Sequence, residues 1–423
     1  MDDQQALQYI YAQPRFGGSP DLIRMPPLLA ALGDPQQKLR FIHVAGTNGK
    51  GSVCAYIASI LQAAGYRTGL FISPFVLDFR ERIQIGGRMI GRRELTALVE
   101  LIRPVLESIP PERRPSQFGL VTALGYLYFA QRQCDVVVLE TGLGGKSDST
   151  NTVDPPLCSV ITRIGLDHMA QLGHTVEQIA AEKAGILKSG SRAVLYPDQP
   201  EGAMRVLTAA ADQLKIPLTL PDLDRLQIKM QTLRETLFCY RDTEYRIRLY
   251  GDCQPLNAIT AIEAVAACGL PVSGAAVRAG LQTAFLPGRC QVVSAHPLIL
   301  ADGGHNPDSA KTLAALIRRE LCRPVAVIGM MRDKDADGYL RQLAPLFEKI
   351  YVVQGDMPRA MDAQTLKTIA GRYNERVVAA KTVGQALKAA LDTGRQICIC
   401  GSFLAVSDAL RWLRAQKIIA ACD

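Results

Sequence analysis

Lys50 follows a glycine-rich turn of the kind that binds phosphate. The apolar segment 41–45 leads into Gly46-Thr47-Asn48-Gly49-Lys50-Gly51-Ser52, where a helical pattern begins. In such a turn the glycines let backbone N–H groups approach an anion, the helix N-terminus adds partial positive charge, and the lysine reaches the outer phosphates. The literal pattern G-x-x-x-x-G-K-[ST] fails, because Val44 stands at its first position and Gly51 follows the lysine. The residues therefore predict a variant phosphate-binding loop, with an ordinary strand-to-helix turn as the alternative.

Polar residues also stand at the ends of three other predicted strands. Ser73 follows the apolar segment 68–72, Glu140 ends the segment 135–140, and His168 follows the segment 157–162. Because open α/β sheets bind ligands at the carboxyl ends of their strands, we expect these side chains to lie near the loop. Glu140 is placed like the Mg²⁺-binding acid that faces a phosphate-binding loop. Without that loop, a turn serine, a solvated glutamate and a structural histidine would explain the three residues as well.

The order of the elements predicts two doubly wound α/β domains. Strands and helices alternate up to about residue 220, and the segment 225–249 alternates like an antiparallel edge. Pro287 and Gly288 mark a boundary, after which five apolar runs are separated by helical patterns. We therefore expect an N-terminal P-loop ATPase domain with a mostly parallel sheet at 1–288 and a smaller Rossmann-like domain at 289–423, with a cleft between them that brings two substrates together.

The composition restricts the class of protein. A chain of 423 residues that is 48% hydrophobic has room for two or three domains. The 11 cysteines lack zinc-ligand spacing, and neither a signal peptide nor a long uncharged apolar run is evident, so we expect a soluble cytoplasmic protein with reduced cysteines and no membrane partner. The net charge of +8 is dispersed among 40 acidic residues, which favours a polyanionic small substrate over nucleic acid.

Taken in order, the motifs of this chain resemble those of the bacterial folylpolyglutamate synthase/dihydrofolate synthase family, a branch of the Mur ligase superfamily. No single motif suffices, but together they cover nearly the whole chain. The motifs are Gly46 to Ser52, Ser73-Pro74-Phe75, Glu140 with Gly142-Leu143-Gly144-Gly145 and Asp148-Ser149-Thr150-Asn151, Leu166-Asp167-His168, Glu182-Lys183-Ala184-Gly185-Ile186, Pro287-Gly288-Arg289, Asp302-Gly303-Gly304-His305-Asn306-Pro307, Asp333-Lys334-Asp335 and Gly401-Ser402-Phe403-Leu404.

The resemblance implies an ATP-dependent ligase. Such an enzyme joins the amine of L-glutamate to the γ-carboxylate of a reduced folate through an acyl phosphate, and dihydropteroate is a possible second acceptor. The implied ligands are ATP as substrate, Mg²⁺ at two sites and a monovalent cation such as K⁺. A monomer is expected.

The resemblance also implies a role for individual residues. The catalytic residues would be Lys50, Lys183 and His305. ATP would contact Gly46 to Ser52, Asn257, Arg289 and Asp302. Mg²⁺ would be held by Ser73, Glu140, His168 and Lys183, the last as a carbamate formed with CO₂; the residues alone fit a plain lysine cation equally well. The folate and glutamate substrates would contact Ser73, Pro74, Phe75, Arg82, His305 and Ser402.

The chain departs from the family pattern at Gly119, Thr141, Gly304 and Gln291, and two alternative functions remain. Gly119 stands where the family usually has an acid, which puts the detail of folate or magnesium-loop recognition in doubt. One alternative is a P-loop nucleotide-binding module without ligase chemistry, which would bind ATP but release no ADP. The other is a cell-wall muramyl-peptide ligase of the same superfamily, although that branch usually has threonines where this chain has Gly51-Ser52.

Overall fold

The computed structural model describes residues 1–15 and 20–419, which form two compact units. The first unit comprises Met1–Ser73, Arg80–Leu226 and Leu256–Ala284. The second comprises Pro74–Phe79, Gln227–Pro255 and the chain from Phe285 onward. No helix in these described ranges has the length and apolar character needed to cross a bilayer.

An eight-stranded sheet forms the centre of the first unit, with the order β4-β3-β2-β5-β1-β6-β7-β8. The short strands β3 and β4 form an antiparallel edge, and the other neighbours are parallel. The strands are β1 Phe41–Ala45, β2 Thr68–Phe71, β3 Ile83–Ile85, β4 Arg88–Met89, β5 Val136–Glu140, β6 Cys158–Ile161, β7 Ala193–Leu195 and β8 Leu218–Thr219. Every residue of β1 and β5 is buried, as expected for a parallel sheet that is covered on both faces.

Ten α-helices occur in the described part of the chain before residue 285. They are α1 Asp3–Ala12, α2 Asp21–Ala31, α3 Lys50–Ala63, α4 Arg92–Ser108, α5 Gln117–Gln131, α6 Met169–Leu172, α7 Val176–Ala184, α8 Glu201–Leu214, α9 Gln254–Ala267 and α10 Gly274–Thr283. The helix α3 begins at the phosphate-binding loop and is buried over most of its length. The predicted helices at 92–108 and 116–132 correspond to α4 and α5.

The second unit contains two sheets. The predicted edge at 225–249 is a separate three-stranded sheet, and the larger sheet has the order β12-β13-β17-β14-β15-β16 with only β12 antiparallel. The strands are β9 Leu226–Gln231, β10 Thr236–Tyr240, β11 Thr243–Ile247, β12 Gln291–Ala295, β13 Leu298–Ala301, β14 Val325–Ile328, β15 Lys349–Val353, β16 Val377–Ala380 and β17 Ile397–Cys400. The helices are α11 Pro307–Glu320, α12 Ala336–Leu343, α13 Ala363–Ala370, α14 Val383–Leu391 and α15 Phe403–Ala415.

The boundary after residue 288 stays a prediction, since the two compact units do not follow a single cut. Two earlier segments join the second unit because their apolar side chains pack into its cores. Val76 lies in one core with Ile299, and Tyr250 lies in the other with Leu300. Such long-range packing leaves no mark on local composition, so the sequence pattern could not reveal it.

Candidate active site

The phosphate-binding loop is attached to the end of β6 by backbone hydrogen bonds. The N–H groups of Thr47 and Asn48 both donate to the carbonyl of Arg163, at 2.9 and 3.1 Å. The Thr47 hydroxyl donates to the carbonyl of Gly165 at 3.0 Å. At the start of α3, Gly49 supplies no side-chain cap, so the N–H groups of the first helical turn are not used by a capping side chain. These amides are the donors that a bound phosphate requires.

Two glycines of the loop cannot carry a side chain. A β-carbon at Gly46 would lie 1.8 Å from Oγ1 of Thr162. Gly49 has a φ of 89°, and a β-carbon there would lie 2.6 Å from Oδ1 of Asn257. Asn257, which is implied to contact ATP, therefore packs directly against the loop. The Lys50 amine folds back onto the loop and donates to the carbonyls of Gly46 and Thr47, at 3.1 and 3.4 Å.

The sheet order brings the predicted strand-end residues together. The strands β2, β5, β1 and β6 are consecutive and parallel, so their carboxyl ends meet at one edge of the sheet. Glu140 is the last residue of β5, and the other strand ends are followed by Ser73, by the loop that contains Lys50, and by His168. We call this group, together with Lys183, the strand-end site.

Glu140 is a buried acid that is held by the neighbouring strand. Its side chain is 2% exposed, and its Oε2 accepts the Ser73 backbone N–H at 2.9 Å. Acids are rarely buried to this degree unless they are paired. Arg82 lies near enough for the two charges to interact, and burial lowers the pKa of the Arg82 guanidinium to about 10. The structure thus places Arg82, an implied substrate residue, in the surroundings of Glu140.

The loop after β5 fixes the position of Lys183. The N–H of Lys146 donates to the carbonyl of Glu182 at 2.8 Å. A β-carbon at Gly145 would lie within 3.0 Å of backbone atoms of Lys183, and one at Gly185 would lie 2.4 Å from Lys146. The glycines on both sides of this contact therefore allow the loop and α7 to approach each other closely.

Lys183 is a buried lysine whose amine is shifted towards its neutral form. The side chain is 4% exposed. Its pKa is lowered from 10.5 to about 7, first because the amine is buried and then because the positive charge of Lys50 is near. The acids that oppose this shift are Asp167, Asp148 and Glu182. A neutral amine is the form that reacts with CO₂, so this environment fits the implied carbamate.

His168 is less well defined as a ligand. It is exposed and stands before α6 in the left-handed region, with a φ of 51°, and its N–H donates to Oδ1 of Asp167 at 2.8 Å. In the ranges that the structure describes, no three His, Cys, Asp or Glu side chains are grouped so as to hold a metal ion. The predicted set contains only two residues of these types, Glu140 and His168. A metal role for His168 therefore stays a prediction.

The second unit holds the other implied nucleotide and glutamate residues on loops. Asp302 is 7% exposed and uses both carboxylate oxygens within its own unit. Its Oδ2 accepts the Cys290 N–H at 3.0 Å, and its Oδ1 accepts the Gly304 N–H at 2.9 Å. These bonds join the turn that carries Arg289 to the turn that carries His305. The implied contact of Asp302 with ATP stays a prediction.

Ser402 is buried at the start of α15, where its hydroxyl makes two hydrogen bonds. The oxygen accepts the Ala405 N–H at 3.1 Å as an N-cap, and the O–H donates to the Gly329 carbonyl at 2.7 Å. Both bonds serve the local fold. Contact between Ser402 and a substrate stays a prediction.

Phe403, which belongs to the motif Gly401-Ser402-Phe403-Leu404 but received no role from the sequence, lies between two of the implied functional side chains. The guanidinium carbon of Arg289 stands 4.4 Å from the centre of the Phe403 ring. The ring of His305 meets the same ring edge-to-face, with centroids 6.3 Å apart.

Two earlier implied substrate residues are less constrained, since Pro74 is exposed and Phe75 is half-buried against Phe79.

Comparison with known proteins identifies the family. The model of the Mur ligase middle domain matches residues 44–265, and that of the Mur ligase, glutamate ligase domain matches residues 288–403. The chain is 38% identical over 385 residues to the dihydrofolate synthase/folylpolyglutamate synthase of Bacillus subtilis. The match covers 86% of this chain and 87% of that protein. The chain belongs to the folylpolyglutamate synthase/dihydrofolate synthase family. It is thus one of the ATP-dependent ligases, as the motifs predict.

Solved structures of the family have the same fold. The folylpolyglutamate synthase of Mycobacterium tuberculosis, complexed with ADP and AMPPCP, superposes with a TM-score of 0.89 at 30% identity and covers 97% of this chain and 99% of that one. A complex of a folylpolyglutamate synthase with AMPPCP and folate gives a TM-score of 0.85 at 32% identity and covers 98% of this chain and 100% of the other. The predicted two-domain α/β fold class is confirmed, and the muramyl-peptide alternative is not favoured.

The acid that the family pattern places at Gly119 is missing, yet a carboxylate lies beside that position. A β-carbon at Gly119 would lie 3.2 Å from Oδ2 of Asp21. The Asp21 carboxylate accepts the Ser116 N–H at 2.8 Å and the Ser149 hydroxyl at 2.7 Å, and it pairs with Arg24 at 2.6 Å. Asp21 thus ties α2 to the turn that follows Asp148. Its distance in sequence from Gly119 explains why no motif revealed it.

A buried polar group beneath the loop also escaped the sequence analysis. His43 Nε2 lies 2.8 Å from Oγ1 of Thr150, which donates to Oδ1 of Asp148 at 2.6 Å. Burial lowers the pKa of His43 to about 3, so its ring stays neutral. Because the Thr150 proton is directed to Asp148, Nε2 of His43 must be the donor. The network joins β1 to the loop after β5.

Proposed function

We propose that this chain is a folylpolyglutamate synthase that adds L-glutamate to the γ-carboxylate of tetrahydrofolate at the expense of ATP. One carboxylate oxygen attacks the γ-phosphorus of ATP, which gives an acyl phosphate and ADP. The neutral amine of glutamate then attacks the acyl carbon, which forms the amide and expels phosphate. The observation that carries the proposal is the convergence of four parallel strand ends on the phosphate-binding loop.

The first unit would bind the nucleotide and stabilise the transferred phosphoryl group. The loop amides and Lys50 would hold the β- and γ-phosphates, and Asn257, which packs against Gly49, would lie near the nucleotide. A carboxylate is a poor electrophile and phosphate is a good leaving group. The main task of Lys50 is therefore to neutralise the charge that develops on the phosphoryl oxygens.

The side chains of the strand-end site fit magnesium. Glu140 offers a carboxylate and Ser73 a hydroxyl, which are hard oxygen donors. We assign Ser73 and Glu140 to one Mg²⁺, and His168 with carbamylated Lys183 to a second. When bound, Mg²⁺ supplies a Lewis acid that lowers the charge on the phosphates. A monovalent cation such as K⁺ is a further proposed ligand.

The buried Lys183 supports the carbamate. Its neutral amine attacks the carbon of CO₂, forms an N–C bond and loses a proton to solvent, which converts a cation into an oxygen-bearing anion. A pKa of about 7 makes a large neutral fraction available at neutral pH. A lysine that served as a plain cation would gain nothing from this environment.

The second unit would present the amine donor. Nδ1 of His305 lies 3.0 Å from the Gly303 carbonyl, which can only accept, so Nδ1 carries the proton of the neutral ring. Nε2 is then the basic nitrogen, and we assign it the proton that glutamate must lose before its amine can attack. Arg289 is assigned to the nucleotide. Asp302 and Ser402, whose hydrogen bonds lie within the unit, would support these two side chains in addition to any contact with ATP or substrate.

An assay of ADP release with different acceptors tests the proposal. The purified protein is incubated with ATP, Mg²⁺ and L-glutamate. One acceptor is added to each reaction: tetrahydrofolate, dihydropteroate or a muramyl peptide. We expect ADP release that requires both tetrahydrofolate and glutamate, with a product heavier by one glutamyl residue in mass spectrometry. Turnover of dihydropteroate would add the second activity in the name of the Bacillus subtilis relative. Ligation only with the muramyl peptide, or ATP binding without any ADP release, would overturn the proposal.

A further inference from the structure

We propose that Phe403 is a positioning residue that holds Arg289 for the nucleotide and His305 for the incoming glutamate. The inference rests on the function proposed above for those two side chains. It adds a residue that touches no substrate and acts through the two that do. Phe403, Arg289 and His305 all belong to the second unit.

The contact with Arg289 has the geometry of a cation–ring interaction. The guanidinium carbon stands 4.4 Å from the ring centre, well inside the distance of about 6 Å at which such attraction is significant. Gly288 and Cys290, on either side of Arg289, both have a positive φ, of 67° and 42°. The backbone therefore turns sharply at this residue, and the ring fixes the direction in which its long side chain extends. An arginine held in this way loses less conformational entropy when it binds an anion.

The contact with His305 defines the plane of the imidazole. The two rings are inclined at 66° with their centroids 6.3 Å apart, which is a favourable edge-to-face arrangement. The bond from Nδ1 to the Gly303 carbonyl fixes the ring at a second point. Two contacts in different directions determine where Nε2 points. The ring of Phe403 thus presets the proposed base as well as the proposed nucleotide contact.

Two glycines leave the space that the ring occupies. A β-carbon at Gly303 would lie 2.4 Å from Cδ1 of Phe403, and one at Gly288 would lie 3.6 Å from the same atom. Gly303 does not have a positive φ, so its backbone does not require glycine. Its lack of a side chain is explained by the ring. The position of Phe403 is therefore specified by the turns that carry both functional side chains.

Two substitutions of Phe403 distinguish the effect of its aromatic ring from the effect of its size. Phe403→Leu keeps an apolar side chain but removes the aromatic face, whereas Phe403→Tyr keeps the ring. We expect Phe403→Leu to raise KM for both ATP and glutamate by about 3- to 30-fold, the range for loss of a cation–ring contact, with a smaller change in kcat. Phe403→Tyr is expected to stay within about 2-fold of the parent protein.

Tyr351→Leu is the matched control. Tyr351 lies in the same apolar core that Phe403 packs against, and its ring also carries a cation, with Lys349 Nζ 5.0 Å from its centre. No functional side chain rests on it. A comparable loss of thermal stability with unchanged KM values is expected for this variant. The comparison distinguishes a general loss of packing from a loss of positioning.

Gly303→Ala provides a second route to the same displacement. The added methyl group would push the ring away, so this variant should raise both KM values as Phe403→Leu does. The double variant Gly303→Ala/Phe403→Leu should be no worse than the more affected single one, because leucine leaves room for the methyl group. This cycle keeps the proposal testable even if Phe403→Leu alone folds poorly.

Arg289→Ala and His305→Ala separate failure of this inference from failure of the proposed function. If both raise KM while Phe403→Leu and Gly303→Ala leave it unchanged, the positioning role is wrong and the assigned roles stand. If Arg289→Ala and His305→Ala themselves change no kinetic constant, the assigned roles are wrong and the inference falls with them. Raised KM values in all four variants, with Phe403→Tyr and Tyr351→Leu unaffected, would support it.

Discussion

In the first unit the candidate ligands follow the ends of neighbouring strands, whereas in the second they lie on loops that an aromatic ring and a carboxylate hold in place. The strand-end site is fixed by the sheet, because the register of β1 against β5 places Val44 beside Glu140. In the second unit, Arg289 and His305 are oriented by Phe403, and Asp302 joins the turns that carry them.

The difference bears on how motif residues should be interpreted. Lys183 and Glu140 are both buried. The pKa of Lys183 is lowered, and the Glu140 carboxylate accepts a backbone N–H, so both side chains are suited to a catalytic or metal-binding role. Asp302 and Ser402 stand in equally recognisable motifs, but their polar atoms bond to nearby backbone groups. A motif residue in the second unit is therefore as apt to support a functional side chain as to be one. Four variants test this comparison.

Lys50→Ala should have the largest effect. We expect kcat to fall by roughly 10²-fold or more, because the variant loses charge stabilisation that is needed only in the transition state. The melting temperature should hardly change, since the amine donates to carbonyls of its own loop. Lys38→Ala, at an exposed lysine, is the control. A near-normal kcat for Lys50→Ala would remove the loop from the mechanism.

Lys183→Ala should lower kcat by about 10- to 100-fold, as expected when a metal ligand or its support is lost. Added acetate should partly restore activity, because a small carboxylate can enter the vacated space and supply the missing oxygen ligand. Alkylamines should not. Rescue by amines alone would mean that the positive charge of Lys183 is what matters and that no carbamate is involved.

His43 should make stability depend on acidity. Its pKa is lowered to about 3 in the folded chain, so between pH 6.5 and 3 the unfolded chain binds a proton that the folded chain does not. Above pH 6.5 the buried His43 does not reduce the free energy of unfolding. As the pH falls below 6.5, the free energy of unfolding decreases by up to about 1.4 kcal/mol per pH unit. His43→Gln should reduce this slope in denaturant titrations, with His174→Gln, at an exposed histidine, as the control. An unchanged slope for His43→Gln would show that the buried ring is not responsible.

Ser402→Ala should have the smallest effect on catalysis. Loss of the cap and of the bond to Gly329 should lower the free energy of unfolding by about 1 to 3 kcal/mol. KM for glutamate should remain within about 2-fold. Ser273→Ala is a matched control, since Ser273 caps α10 by accepting the Ala276 N–H at 3.2 Å. A tenfold rise in KM for glutamate in Ser402→Ala alone would restore the substrate contact that the resemblance implies.

The sequence predicted most of the fold because its signals are local. Buried parallel strands such as Val136–Glu140 appear as continuous apolar runs, and their order along the chain indicates a doubly wound sheet. The convergence of Ser73, Glu140 and the loop followed from the rule that ligands bind at strand ends. These predictions needed no knowledge of side-chain packing.

What the sequence could not predict depends on contacts between distant segments. Asp21 reaches Gly119, and Phe403 reaches Arg289, across intervals with no periodic pattern. The burial that shifts the pKa of Lys183 arises from a loop and a helix that pack closely only because Gly145 and Gly185 lack side chains. Contacts between distant segments also explain why two segments before residue 288 join the second unit, which the sequence did not predict.

Transfer of labelled oxygen tests the central claim, ligation through an acyl phosphate, most directly. Tetrahydrofolate with ¹⁸O in its γ-carboxylate is incubated with the protein, ATP, Mg²⁺ and L-glutamate, and the released phosphate is analysed by mass spectrometry. The proposed route passes one carboxylate oxygen to the γ-phosphorus and then expels it with phosphate, so each amide formed should release one phosphate that carries a single ¹⁸O atom. Amide formation with unlabelled phosphate would contradict the account.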